Sequence, residues 1–376
     1  MKQISLLIVV KEREPGILSI ADGREKSLVP ILDGRKIIDF YLSNLYFEAF
    51  QRVTVLTDRE HTGIKDYLVF AYSSHRVKVI SEPDILRAAM NILRIRKNEC
   101  ILLLRADHLF LPDWPSLKSE LLSLPPDNFE IEGPQHQSIG FLLHNTKPFQ
   151  AVKNRPLQRE QKRPRIDVVW EYIANTLRPS VKKLMLQSHC MLIHTVNDYY
   201  TVHFSLLKRI EELIHLLPPR TVLNDEEPAR VMGTGHVRNS YVSTSSIVEG
   251  FVEHSILFSH VRVGKNAKII NSIVMENNYI GNSALLLNSI LCDGGELFSR
   301  MTPNIGEDAK IGEDDSRGSN HLYPEYLSGG ITLIGQNVEI PKGFRISRNC
   351  YIGSKVGKPE LKGLERVKAG DTVLQS

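Results

Sequence analysis

Two places in this 376-residue chain hold residues whose type and position suit phosphate chemistry. Asp107, in Arg105-Ala106-Asp107-His108, follows directly on the apolar run Cys100-Ile101-Leu102-Leu103-Leu104. A carboxylate at the end of a buried strand can hold Mg²⁺ between nucleotide phosphates. An Asp that caps the following turn is the alternative. The second place is the loop after the apolar run Ile4 to Val10, where glycines would let backbone N–H groups approach a triphosphate. Here the loop reads Lys11-Glu12-Arg13-Glu14-Pro15-Gly16-Ile17. Its proline removes a donor and its glutamates repel phosphate, which predicts a poor cradle.

Those two loops need a sheet to bring them together. Ile4 to Val10 is continuously apolar, as expected of a strand buried on both faces of a parallel sheet. A helix is expected from about Arg35, with Ile37, Ile38, Leu42 and Leu45 at helical spacing. Then come a strand at Val53 to Leu56, a short helix around Ile64 to Leu68, a strand at Val77 to Ile80, a helix from about Ile85 to Ile95, and a strand at Cys100 to Leu104. Alternating strands and helices imply right-handed crossovers and a mainly parallel sheet, with ligands at the carboxyl ends of its strands.

From about Val237 the texture changes to aliphatic residues at near-hexad spacing. Val263-Gly264 leads six residues later to Ile269, Ile280-Gly281 to Leu286, and Ile305-Gly306 to Ile311. Asn271-Ser272-Ile273-Val274 recurs 17 positions on as Asn288-Ser289-Ile290-Leu291, with an earlier echo in His254-Ser255-Ile256-Leu257. One inward aliphatic per short strand, with small residues at tight corners, predicts a left-handed parallel β-helix of about three hexads per coil. Gly312 to Gly330 breaks the rhythm and reads as a loop excursion. The expected domains are 1–218 and 237–376, joined by a linker at 219–236. Solenoids with open edges often assemble side by side, so an oligomer is expected.

Composition excludes several classes. No apolar run approaches the roughly 20 residues that cross a bilayer, and the N-terminal run is too short for a signal peptide, which predicts a cytoplasmic protein without a membrane partner. Lys and Arg number 47 against 43 Asp and Glu, a net charge of +4, and they are interspersed, unlike the basic face of a nucleic-acid binder. The basic stretch Arg155 to Arg165 holds two prolines and reads as a solvated loop, with an anion or partner contact as the alternative. Cys100, Cys190, Cys292 and Cys350 are too far apart for a zinc motif or a disulfide framework.

Arg24-Glu25-Lys26-Ser27-Leu28-Val29-Pro30, followed by Gly34-Arg35-Lys36-Ile37-Ile38-Asp39-Phe40 and Leu42-Ser43-Asn44, resembles the R-A-K-P-x-V-P … G-K-x-R-I-I-D-F-x-L-S-N segment of ADP-glucose pyrophosphorylase (glucose-1-phosphate adenylyltransferase). Arg105 to Phe110, with Asp113 and Trp114, is similar to that family's G-D-H-x-Y … D-Y stretch, with Ala106 in place of the glycine. The resemblance implies a Rossmann-like nucleotidyltransferase domain joined to a β-helix, and makes Asp107 the vestige of a metal-binding carboxylate and Lys26 of the phosphate side.

The departures fall on the chemistry. The G-G-x-G-x-R-L loop is absent where Lys11 to Gly16 stands. Aligned with the W-x-D-x-G-T segment that carries the second metal carboxylate, Cys190 falls at the Trp, Leu192 at the Asp and His194 at the Gly, and a leucine cannot ligate a cation. The hairpin bearing the sugar-phosphate E-K-P motif is missing, since only Asp127 to Gln137 precedes Ser138-Ile139-Gly140-Phe141. Adenylyl transfer depends on positioning and on neutralising developing phosphate charge, so these losses remove its main source of rate.

The chain therefore resembles the family's regulatory, GlgD-type subunit. That resemblance implies a non-catalytic or weakly catalytic subunit of glycogen biosynthesis, needing no cofactor and holding no metal, in a hetero-oligomer, a tetramer, with the catalytic subunit. Arg24, Lys26, Arg35 and Lys36 are its candidate anion sites for a nucleotide or sugar-phosphate effector, against charges that merely solvate a loop and a helix start. An active, divergent sugar-1-phosphate nucleotidyltransferase using Asp107, Arg24 and Lys26 is the alternative. A hexapeptide acyltransferase with His254 or His260 as base is a third reading.

Overall fold

A computed structural model describes residues 4–375 apart from 11–13, 46–48, 51, 58–61, 73–76, 82–84, 96–98, 151–165, 178–180, 187, 221–226, 296–301 and 315–317. The Arg155 to Arg165 stretch lies outside the described residues. The first elements are β1 (Ile4–Val10), a small hairpin of β2 (Pro30–Ile31) and β3 (Arg35–Lys36), α1 (Ile37–Leu42), β4 (Arg52–Thr57), α2 (Thr62–Ala71), β5 (Val77–Ser81), α3 (Ile85–Ile95) and β6 (Cys100–Ala106). They are followed by β7 (His108–Leu111), α4 (Trp114–Ser123), β8 (Asn128–Glu132), β9 (Ser138–Leu143), α5 (Lys147–Gln150), α6 (Ile166–Leu177), β10 (Val181–Met185), β11 (His189–Leu192) and α7 (Val196–Lys208).

Seven of these strands form one sheet in the order β10-β8-β9-β6-β1-β4-β5, in which β9 alone runs antiparallel. Each of the seven residues of β1 is buried, because helices cover both faces of the sheet at its centre. The carboxyl ends of β1 and β6 are adjacent, with Val10 paired to Ala106, so the end of β1 and Asp107 lie at one sheet end. The helix expected from Arg35 begins at Ile37, since Arg35 and Lys36 pair with Ile31 and Pro30 in the hairpin. The Asp127 to Gln137 stretch forms β8 and a short turn into β9.

The C-terminal domain is a left-handed parallel β-helix with three faces. Its first paired strand, Arg230–Val231, lies within the stretch expected to be linker, so the solenoid starts before Val237. Aliphatic ladders fill its interior: Val252, Ile269, Leu286, Ile311 and Ile346 stack in register along one face. Corners use the left-handed backbone, with Asn271 at φ 49° and Asn288 at φ 46°. Asn tolerates that region better than most side chains. Between corner and strand, Ser255, Ser272 and Ser289 form a buried ladder in which the Ser255 and Ser272 hydroxyls each accept from the backbone N–H of the serine one coil on, at 3.1 Å.

The third face is buried on both sides. Leu257, Val274, Leu291, Ile334 and Ile352 point into the solenoid. The residues just before them, Ile256, Ile273, Ile290, Leu333 and Tyr351, point out into the core of the N-terminal domain. Burial of such side chains is worth about 1.5–3 kcal/mol each, so this shared core is a permanent junction and not a hinge. The Gly312 to Gly330 excursion also joins the domains. Leu327 is fully buried in the shared core, and Tyr326 accepts a hydrogen bond from Val196 N–H at the start of α7. No described helix is long and apolar enough to cross a membrane.

Candidate functional site

Asp107 is completely buried between β6 and β7. Arg105, two residues earlier, donates from Nε to both carboxylate oxygens at 3.0 Å and from Nη2 to Oδ2 at 2.5 Å. His108 Nδ1 lies 2.6 Å from Oδ1 but off the line of a hydrogen bond. Burial by itself would raise the Asp107 carboxyl, but His108 and Arg105 outweigh it and hold the group well below the usual carboxylate range. The charge is thus kept and satisfied locally. A divalent cation could use this carboxylate only if the guanidinium withdrew.

Leu192 ends β11, which pairs antiparallel with β7 and sets Leu192 opposite His108. The position aligned with the second metal carboxylate therefore stands beside Asp107, and it offers no oxygen. Cys190, on the same strand, is buried, and that burial pushes its thiol up to about 12, so it is no nucleophile.

Lys26 belongs to a single 3-10 turn, Lys26–Leu28, and is also wholly buried. Its Nζ lies 3.3 Å from Glu14 Oε2 and 3.4 Å from His194 Nδ1, and that imidazole nitrogen is 2.7 Å from the same Glu14 oxygen. Glu14 comes from the loop that stands in place of the glycine cradle. His194 precedes α7, whose start is fixed by reciprocal hydrogen bonds between Thr195 and Asp198. Gly16 seats the loop against this point: a Cβ there would lie 2.1 Å from the His194 carbonyl oxygen.

The four basic residues put forward as an anion site do not share one setting. Arg24 is exposed on a turn. Arg35 is mostly buried, donating from Nε to the Pro218 carbonyl at 2.6 Å and from Nη1 to Asp33 at 3.2 Å. Lys36 opens α1, and its charge counters the burial that raises the Asp39 and Glu276 carboxyls. Asp33 was missed by sequence reasoning. Its buried carboxylate gathers Arg35, Arg220 at 3.0 Å, Tyr241 Oη at 3.0 Å and Ser243 Oγ, spanning hairpin, connection and solenoid. His254 and His260 both lie at left-handed corners of the coils. His254 Nδ1 is 2.7 Å from Asn271 Oδ1 and its ring packs on Phe204.

A family model described as "GlmU-like, C-terminal hexapeptide" matches residues 218–334. The chain is 24% identical over 411 aligned positions to the glucose-1-phosphate adenylyltransferase of Thermotoga neapolitana, covering 93% of each protein. To that enzyme the likeness runs over nearly the whole chain. The enzyme of that name from Acetivibrio thermocellus is 28% identical over 192 residues, and that from Pseudothermotoga lettingae 33% over 185. These two alignments take in 49% and 48% of this chain and only 41% and 42% of the relatives' own length. Against that likeness to glucose-1-phosphate adenylyltransferases, the two charges best placed for metal and phosphate, Asp107 and Lys26, are each matched within the chain itself.

Proposed function

We propose that this chain is a non-catalytic or weakly catalytic subunit that modulates ADP-glucose synthesis from ATP and glucose-1-phosphate by a catalytic paralogue, in cytoplasmic glycogen biosynthesis. The observation that carries this reading is the double neutralisation of the cleft: Arg105 covers Asp107, and Glu14 with His194 covers Lys26. Magnesium-assisted adenylyl transfer needs open carboxylate oxygens and cationic groups aimed at phosphates. The residues present do not fit a magnesium ion, with both Asp107 oxygens engaged and Leu192 alongside, so the subunit is read as needing no metal of its own. Partnership, in a heterotetramer, is supported by the rigid union of the two domains, which lets a change on one surface bias another. Arg24, as the exposed member of its segment, is the first candidate contact for a nucleotide or sugar-phosphate effector.

The test is a paired assay. The purified chain alone should release no pyrophosphate from ATP and glucose-1-phosphate in the presence of Mg²⁺. Mixed with the catalytic paralogue of its own organism, it should form a complex and change kcat or KM for ADP-glucose synthesis. Full activity of the chain alone, or no complex, defeats the reading.

A further inference from the structure

The geometry points to Glu14 as a built-in anion: its carboxylate takes, at Lys26, the place of a ligand phosphate, so the corner is an anion site that the chain closes on itself. A wholly desolvated ammonium is stable only beside a negative charge, and Lys26, at 0% exposure, has Glu14 Oε2 at 3.3 Å. The same oxygen receives His194 Nδ1 at 2.7 Å, so a lysine and an imidazole converge on one oxyanion as they would on a phosphate oxygen. The carboxylate is delivered by construction. Pro15 and Gly16 follow it into a buried 3-10 turn, Gly16 is pressed on the His194 carbonyl, and Tyr326 of the solenoid excursion closes over the same glycine. Val196 N–H, donating to the Tyr326 carbonyl at 3.1 Å, holds that lid in place.

The matching ligand class is a small polyanion with terminal oxygens, such as pyrophosphate, and not a neutral sugar. Glu14→Gln keeps the side-chain length and removes the competing charge. The inference rests on reading the corner as the phosphate end of a former active site, but it is tested by binding to the isolated chain, so its failure leaves the partner assay standing. Titration calorimetry and thermal melting with inorganic pyrophosphate, with glucose as neutral control, are run on the wild type, E14Q and the double variant E14Q/K26M. E14Q is expected to bind pyrophosphate at least tenfold more tightly than the wild type and to gain Tm with it. E14Q/K26M should lose both effects, and glucose should produce neither. Equal binding by E14Q and the wild type, or binding retained in the double variant, overturns the proposal. If E14Q does not accumulate as folded protein, refolding with and without pyrophosphate decides: yield rescued by the anion supports the inference, and unchanged yield overturns it.

Discussion

His108 and Arg105 together allow Asp107 to stay charged without water. Arg105→Ala should strip the buried carboxylate of its guanidinium, leaving His108 as its partner, and cost about 3 kcal/mol. The pH dependence identifies the cause. In the wild type the folded Asp107 carboxyl lies below its unfolded value, so its stabilisation is present above about pH 4 and fades as pH falls toward the folded value. In Arg105→Ala only His108 still opposes burial, so the folded group moves up and the penalty should grow as pH rises above about 4. Urea melts at pH 5 and pH 7.5 should show the larger penalty at the higher pH, and adding Asp107→Asn should restore most of it. An equal penalty at both pH values would remove this account. The readable part of the cleft was local: Asp107 stood out by following a buried strand, and Leu192 by its place in an aligned segment. The cover on Lys26 was not readable, because His194 lies 168 positions away and only the fold makes them neighbours.

Helix α7 ties the cleft to the hairpin through one neutral histidine. His203 is fully buried, its Nε2 accepting from Leu32 N–H at 3.1 Å and its Nδ1–H donating to the Tyr199 carbonyl at 2.9 Å. Burial lowers its folded value to about 4, so the unfolded chain takes up a proton that the folded one refuses. Stability should be full above about pH 6.5 and fall by roughly 3 kcal/mol as pH drops to 4. His203→Gln should flatten that part of a stability-versus-pH curve; an unchanged slope would assign the acid sensitivity elsewhere. Gly16→Ala, where the new methyl would meet the His194 carbonyl, should cost about 1–3 kcal/mol in a denaturant melt. The central strands and the solenoid coils could be recognised from the chain because their signals are strong: unbroken apolar runs for β1 and β6, hexads for the coils. Strands β8, β10 and β11 could not. β10 carries Lys182 and Lys183 on a sheet edge, where charge discourages further pairing, and so lacks an apolar run. The outward Ile256, Ile273 and Ile290 looked like ordinary repeat positions, and only the docked domain explains why they are aliphatic.

Across the whole molecule, Asp33 fastens hairpin, connection and solenoid at a single carboxylate. Asp33 has φ 69°, which Asn tolerates, so Asp33→Asn isolates the loss of charge. It should weaken the junction by about 1–3 kcal/mol and broaden or split the calorimetric transition, with the N-terminal domain melting first. A single sharp transition that merely shifts would mean that the apolar junction alone couples the domains. That junction also imposes a timetable on biosynthesis. Ile31 and Leu32 are made roughly 220 residues before Ile256, the first fully buried solenoid residue in their core. At about 5–20 residues per second, the nascent N-terminal domain waits on the order of 10 to 45 seconds with that face uncovered. Chaperone demand should therefore peak while the solenoid is still inside the ribosome and fall once its third coil has emerged.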